Sequence, residues 1–187
     1  MEYINKEKLV NSILYFIKKV KYPGKTKICK LLFHLDFIHF KETGKSVTGL
    51  DYYAWEKGPV PRGLFYKFSE DIISNEFQPY FVIVKKDKLH EICAKQQPNM
   101  KVFSKREKRI LEEVTEIYKS AKAEEMTEIS HLKGKPWYTT LKSKGEKKKI
   151  DYMLAIDDTE KSINKEEAIA RQKFIQETYE MLNSDRT

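Results

Sequence analysis

A chain of 187 residues with 36 basic and 28 acidic side chains is long enough to bury one hydrophobic core, and its charges are too evenly mixed in sign for a disordered polyelectrolyte. The 40% hydrophobic content, with 11 Tyr, 10 Phe and 2 Trp, supplies that core, while two cysteines exclude a disulfide framework and point to a reducing cytoplasm. The net charge of +8 permits nucleic acid or an acidic protein face as partner and demands neither, because the lysines are spread along the chain. The N-terminal segment has neither a basic n-region nor a small-residue cleavage site, and polar residues interrupt Leu9–Val20, so the expected protein is intracellular, soluble and without a membrane partner.

In chain order, Leu9, Val10, Ile13, Leu14, Ile17 and Val20 recur at helical spacing after a start at Asn5, and Pro23-Gly24 ends that helix. A second helix is expected over Thr26–Thr43 with Gly44 as its stop. Ile28, Leu31, Leu32, Leu35 and Ile38 lie on one face of it, and Cys29, Phe33, Phe37 and Phe40 nearly opposite, leaving Lys27, Lys30 and His34 as its polar strip. Apolar on two sides, this helix should be central to the fold. Leu50–Trp55 reads as a short strand, Pro59 and Pro61 as a rigid corner, and Leu64–Ile73 as a helix with Leu64, Phe65, Phe68 and Ile72 inward. Phe81–Val84 and Leu89–Ala94 read as a hairpin, and Lys95–Met100 as a loop.

Ser104 and Glu107 form a capping box for a helix that should bury Ile110, Leu111, Val114, Ile117 and Tyr118. A shorter helix is expected from Thr127, ending before Gly134-Lys135-Pro136-Trp137; Lys142–Lys149 reads as a solvated basic linker, and Lys165–Asn183 as an amphipathic helix. The fold class that results is mainly α with a small antiparallel β-sheet, drawn from Leu50–Glu56 and Phe81–Ala94, around a central buried helix.

Reactive groups are poorly arranged for catalysis. Cys29, His34 and His39 are five residues apart, and each such step turns a helix by about 140°, so they diverge and no metal site is expected with Cys93 or without it. His90-Glu91 does not extend to a zinc-protease motif, the seven glycines form no phosphate loop, and Cys29 lies in an apolar run. His131 suits packing near Trp137, and the acidic clusters Glu124, Glu125, Glu128 and Asp157, Asp158, Glu160 suit solvated faces. No enzyme activity and no cofactor are expected. The order helix, turn, helix, strand pair superficially resembles a winged helix-turn-helix, but the second helix offers Lys27, Lys30 and His34 without Arg, Asn or Gln to read base edges. That leaves a winged-helix-like DNA-binding protein as the alternative reading.

Lys30-Leu31-Leu32-Phe33, Gly44, Tyr53-Ala54-Trp55 running into Gly58-Pro59-Val60, the aromatics Phe65 and Tyr66, then Ser130-His131 and Pro136-Trp137 follow an order that resembles the Panacea domain family of SocA-like and GepA-like antitoxin and phage-associated proteins. The resemblance covers roughly Leu9 to Leu141; Phe33 stands where Tyr is common, and Lys45-Ser46-Val47 replaces a Pro-containing turn. It implies a domain over residues 1–145, with 146–187 a basic linker and a helix packing on it. It also implies an antitoxin that binds and neutralises a cognate toxin encoded beside it, with delivery to a protease in one branch of the family. The partner surface is expected at the Gly58–Tyr66 corner, built from Trp55, Lys57, Pro59, Val60, Arg62 and Tyr66 and flanked by an exposed strip of Lys30 and His34 and by Trp137. Rigid aromatic and Arg anchors are what such surfaces use.

Overall fold

The computed structural model describes residues 4–68, 72–86 and 89–184; the Asn5 side chain accepts the Lys8 amide and caps helix α1 (Lys6–Lys19). Leu9, Val10, Ile13, Leu14 and Phe16 bury one face of it, as the periodicity requires. Helix α2 (Lys25–Thr43) ends at Gly44, which takes φ of 69° and donates its amide to the Phe40 carbonyl. Both apolar faces of α2 are buried, with Leu31, Leu32, Leu35 and Phe40 fully enclosed. The polar strip is buried as well, against expectation. Lys27 and Lys30 are only 1% and 2% exposed, and the His34 ring is stacked on Tyr118 with centroids 4.6 Å apart. Backbone carbonyls make this possible: the Lys27 ammonium donates to Lys21 at 2.7 Å, Ala121 at 2.6 Å and Lys119 at 3.4 Å. A long stem packs in the core while its head is saturated by three carbonyls from two separate stretches of chain.

Asp36 is the second polar group of α2 held inside. Its carboxylate accepts the Val47 and Thr48 amides, both at 2.8 Å, the Tyr52 hydroxyl at 2.8 Å and the Thr48 hydroxyl. The loop after Gly44 is thereby tied back onto α2.

The Leu50–Glu56 and Phe81–Ala94 regions form two separate two-stranded sheets instead of one. Strand β1 (Tyr53–Trp55) pairs with β2 (Gly58–Val60), so the residues expected as a corner are themselves a strand. Glu56-Lys57 makes the turn, and Gly58 at φ of 117° takes a backbone that only glycine adopts freely. Tyr53–Val60 and Trp55–Gly58 flank the pair Ala54–Pro59. Ala54 turns both its backbone groups away from Pro59, its amide to the Lys148 carbonyl and its carbonyl to the Lys147 amide. Pro59 therefore sits where a missing N–H costs nothing. The stretch expected as a solvated linker, Lys142–Lys149, is largely exposed but structured: its first three residues close a helix and residues 147–149 run along β1, followed by the Ile150 amide on the Tyr52 carbonyl.

Helix α3 (Arg62–Phe65) lasts a single turn, shorter than the Leu64–Ile73 expected. Phe68 bridges to Ile73, which is buried with Phe77 and Phe81, while Ile72 points outward; residues 69–71 of the expected helix lie outside the described residues. Strands β3 (Phe81–Lys86) and β4 (Leu89–Ala94) form the expected hairpin. Helix α4 (Lys105–Tyr118) carries the Ser104–Glu107 capping box, and Glu107 also receives the Lys8 ammonium at 2.6 Å. Its buried arc centres on Glu107, Val114 and Tyr118, which leaves Ile117 at the margin and exposed. Helix α5 (Ala123–Ser130) starts earlier than Thr127; the Glu125 carboxylate accepts the Lys122 amide, and the Thr127 hydroxyl donates within the helix to Ala123. Helix α6 (Pro136–Lys144) follows with proline at its first turn.

Beyond α6, Ile150 and Tyr152 return to the core, where the Tyr152 ring stacks on Phe37 and Phe40 and its hydroxyl donates to Leu50 at 2.7 Å. Near its start helix α7 (Lys165–Ser184) is anchored by buried Ala168 and by Arg171, which donates to the Thr43 carbonyl at 2.9 Å. Gly44 lies beneath that anchor: a Cβ there would meet the Ala168 Cα at 3.3 Å and the Ile163 Cδ1 at 3.1 Å. Gly44→Ala should lower the melting temperature by several degrees, from about 1–2 kcal/mol of left-handed strain and crowding. Hydrogen exchange should show α7 amides losing protection before those of α4.

Candidate partner-binding site

The hairpin β1–β2 and helix α3 meet the first turns of α2 and enclose a cleft of about 220 Å³ lined by Thr26, Cys29, Lys30, Trp55, Pro59 and Phe65 among others. Trp55 is half-buried and meets Phe65 edge-on at 5.2 Å and Tyr66 at 6.0 Å. The Lys25 ammonium sits 3.8 Å above the Phe65 ring, a cation–π contact that fixes the cleft's outer wall. Outside the wall Lys57 and Arg62 are exposed, Val60 is half-buried, and Tyr66 stands 64% exposed. These four residues with the Trp55 edge form the accessible part of the expected surface.

The other expected residues are behind it. Pro59 is buried in the hairpin. Trp137 is buried and donates its indole N–H to the Trp55 carbonyl at 2.9 Å, while its ring stacks on His131 at 3.7 Å. Trp137 and His131 thus brace the hairpin from α6 and the end of α5. Lys30 and His34 are no exposed strip: Lys30 donates to the Lys57 carbonyl at 2.8 Å, behind the hairpin turn. Burial lowers the Lys30 ammonium to about 8, and burial, with Lys30 and Lys135 nearby, lowers the His34 imidazole to about 3. Cys29, on the same turn, is pushed up to about 12 by burial, which disarms it as a nucleophile. Periodicity alone places Cys29 and Phe65 in the core and Thr26 at the start of α2. The signal was there: Thr26, Cys29 and Lys30 stand at i, i+3 and i+4 on one face of α2.

A second concavity, of about 800 Å³, separates the far half of α7 from the body. Phe174, Ile175, Tyr179 and Leu182 line it on one side, and Val47, Ile150 and Tyr152 on the other; Phe174 is 69% exposed. Among the described residues there is no group of three or more His, Cys, Asp or Glu placed to hold a metal ion, and no helix long and apolar enough to cross a membrane.

Residues 28–138, more than half of the chain, match the family described as antitoxin SocA-like, Panacea domain. The chain belongs to the SocA-like Panacea family. The match opens inside α2 and closes in α6, so the Panacea segment contains the cleft apart from Thr26 and Lys25 at its mouth, together with the Trp137 brace, and leaves out α1 and α7. The chain matches no curated protein and no solved structure.

Proposed function

We propose that this Panacea protein is a non-catalytic antitoxin that neutralises a cognate toxin, encoded beside it, by direct contact through the hairpin corner. The observation that carries the reading is the contrast between a rigid frame and what it presents. Trp55, Pro59 and Phe65 are locked by pairing, stacking and the Trp137 hydrogen bond, while Lys57, Arg62 and Tyr66 project from them into solvent. Such preorganised aromatic and Arg anchors lose little entropy on binding. The membership supports an antitoxin role; the identity of the toxin, and delivery to a protease as an added step, extend beyond it. Groove reading by α2 has no support, because Lys27 and Lys30 are buried.

The test is co-expression with the neighbouring reading frame. Arg62→Glu with Tyr66→Ala should abolish rescue from toxicity, while thermal unfolding of the purified variant stays within about 0.5 kcal/mol of the parent, as for other exposed sites. Full rescue by a well-folded double variant would remove the corner from the interface and shift attention to α7. A falling toxin level during rescue would separate protease delivery from simple blocking.

A further inference from the structure

Two lysines of α2, three residues apart, are buried to the same degree and treated very differently. The Lys27 ammonium has three carbonyl acceptors, one for each N–H. Among the described residues the Lys30 ammonium has one, the Lys57 carbonyl, and no carboxylate lies within ion-pair distance of it. An ammonium in a low-dielectric site with unfilled donors is costly to keep charged unless something completes its shell. Lys30, unlike Lys27, lines an open cleft.

We propose that the cleft receives the side-chain carboxylate of an Asp or Glu from a partner polypeptide, seated on the Lys30 ammonium between Trp55 and Phe65. The proposal rests on the corner being the partner surface and names the chemistry it selects. Size argues for one side chain: about 220 Å³ is below the roughly 300–1,000 Å³ of small-molecule pockets. Charge argues for an acid: the floor of the cleft is cationic, and the chain as a whole carries +8, which draws acidic partners in. A carboxylate needs few donors and tolerates the apolar walls, whereas phosphate recognition uses clustered cations or backbone amides, and a single ammonium serves it poorly. Binding an anion there would also hold Lys30 charged. The ionisable groups facing it are Cys29 and His34 on its own helix, Glu56 and Lys57 of the hairpin turn, Glu124 of α5 and His131 after it, with Lys25 beside the wall. Cys29, near 12, and His34, near 3, keep their charge state from pH 6 to 9.

The probe is N-acetyl-glutamate N-methylamide, titrated into the full chain while the indole N–H signals of its two tryptophans, both at this corner, are followed by NMR. A saturable shift is expected, about tenfold or more weaker with the glutamine isostere. Affinity for the glutamate probe should decline as pH rises through about 8, where Lys30 loses its proton, while the isostere stays flat. Thr26→Phe, at an exposed position on the cleft mouth, should block the shift without altering the fold, and Lys30→Gln should erase the preference for the acid. Equal shifts with the glutamine isostere would reduce the cleft to an apolar slot and overturn the proposal. Equal binding of inorganic phosphate, or no shift at all, would overturn it too. The titration needs no toxin, so its failure beside intact corner-dependent rescue would refute only the carboxylate receptor. A Thr26→Phe protein that loses the probe and keeps rescue would detach the cleft from neutralisation.

Discussion

Replacing Asp36 by Ala should destabilise the protein by about 3–5 kcal/mol, enough to unfold it or to drop its melting temperature by roughly 10 °C. Asp36 is completely buried, and its two oxygens take the Val47 and Thr48 amides and the Thr48 and Tyr52 hydroxyls. The hydroxyls can turn, but the two amides cannot, and each unsatisfied buried donor costs about 1–3 kcal/mol. The pH dependence adds a signature. Burial raises the carboxyl from 3.8 to about 6, against the pull of its four hydrogen bonds. A carboxyl with a raised folded-state value holds its proton longer in the folded chain, so its stability contribution is full below pH about 4 and is lost as pH rises through about 6, by up to about 3 kcal/mol. Asp36→Asn cannot ionise. Denaturant unfolding at pH 4 and pH 7 should therefore show the gap between parent and Asp36→Asn shrinking toward neutral pH; a gap that widens would show that the hydrogen bonds outweigh burial.

Ending the chain at Gly145 should abolish cooperative folding, although the cut lies beyond the last family-matched residue, 138. It removes Ile150 and Tyr152, strips a stacked ring from Phe37 and Phe40, and deletes the backbone bonds that residues 147–150 make to Tyr52 and Ala54. Two buried large side chains cost about 2–5 kcal/mol each, which together approaches the roughly 5–15 kcal/mol total stability of a domain. Circular dichroism and gel filtration should report an expanded or aggregated chain. Ending at Asn164 instead keeps that core and should preserve a sharp transition. If the shorter chain unfolded as cooperatively as the longer, residues 146–164 would be ornament.

Elements whose signals are local were legible. The 3.6-residue period gave α1 and both apolar faces of α2, the Ser104–Glu107 box gave the start of α4, and β-branched runs gave the 81–94 hairpin. What was hidden depends on distant chain. Nothing near Lys27 announces that carbonyls of Lys119 and Ala121 will saturate it, or near Lys30 that the turn at Lys57 will. A lysine on a helix reads as solvent until its acceptors are known. Gly58-Pro59-Val60 misled for a related reason, since a proline is admissible in a strand only when its neighbour, here Ala54, bonds the other way. The hairpin and α3 do bring the residues expected at the corner together, but four of the nine, Lys30, His34, Pro59 and Trp137, lie behind its accessible face.

Helix α2 keeps almost no face for solvent, whereas the hairpin turn and the single-turn α3 hold Lys57, Arg62 and Tyr66 exposed. Connecting segments of this kind absorb substitution and insertion at little thermodynamic cost. With the corner as the proposed partner surface, folding and recognition draw on nearly separate sets of residues. On that reading, lineages of this chain could exchange Lys57, Arg62 and Tyr66 for other side chains and change allegiance without renegotiating the interior.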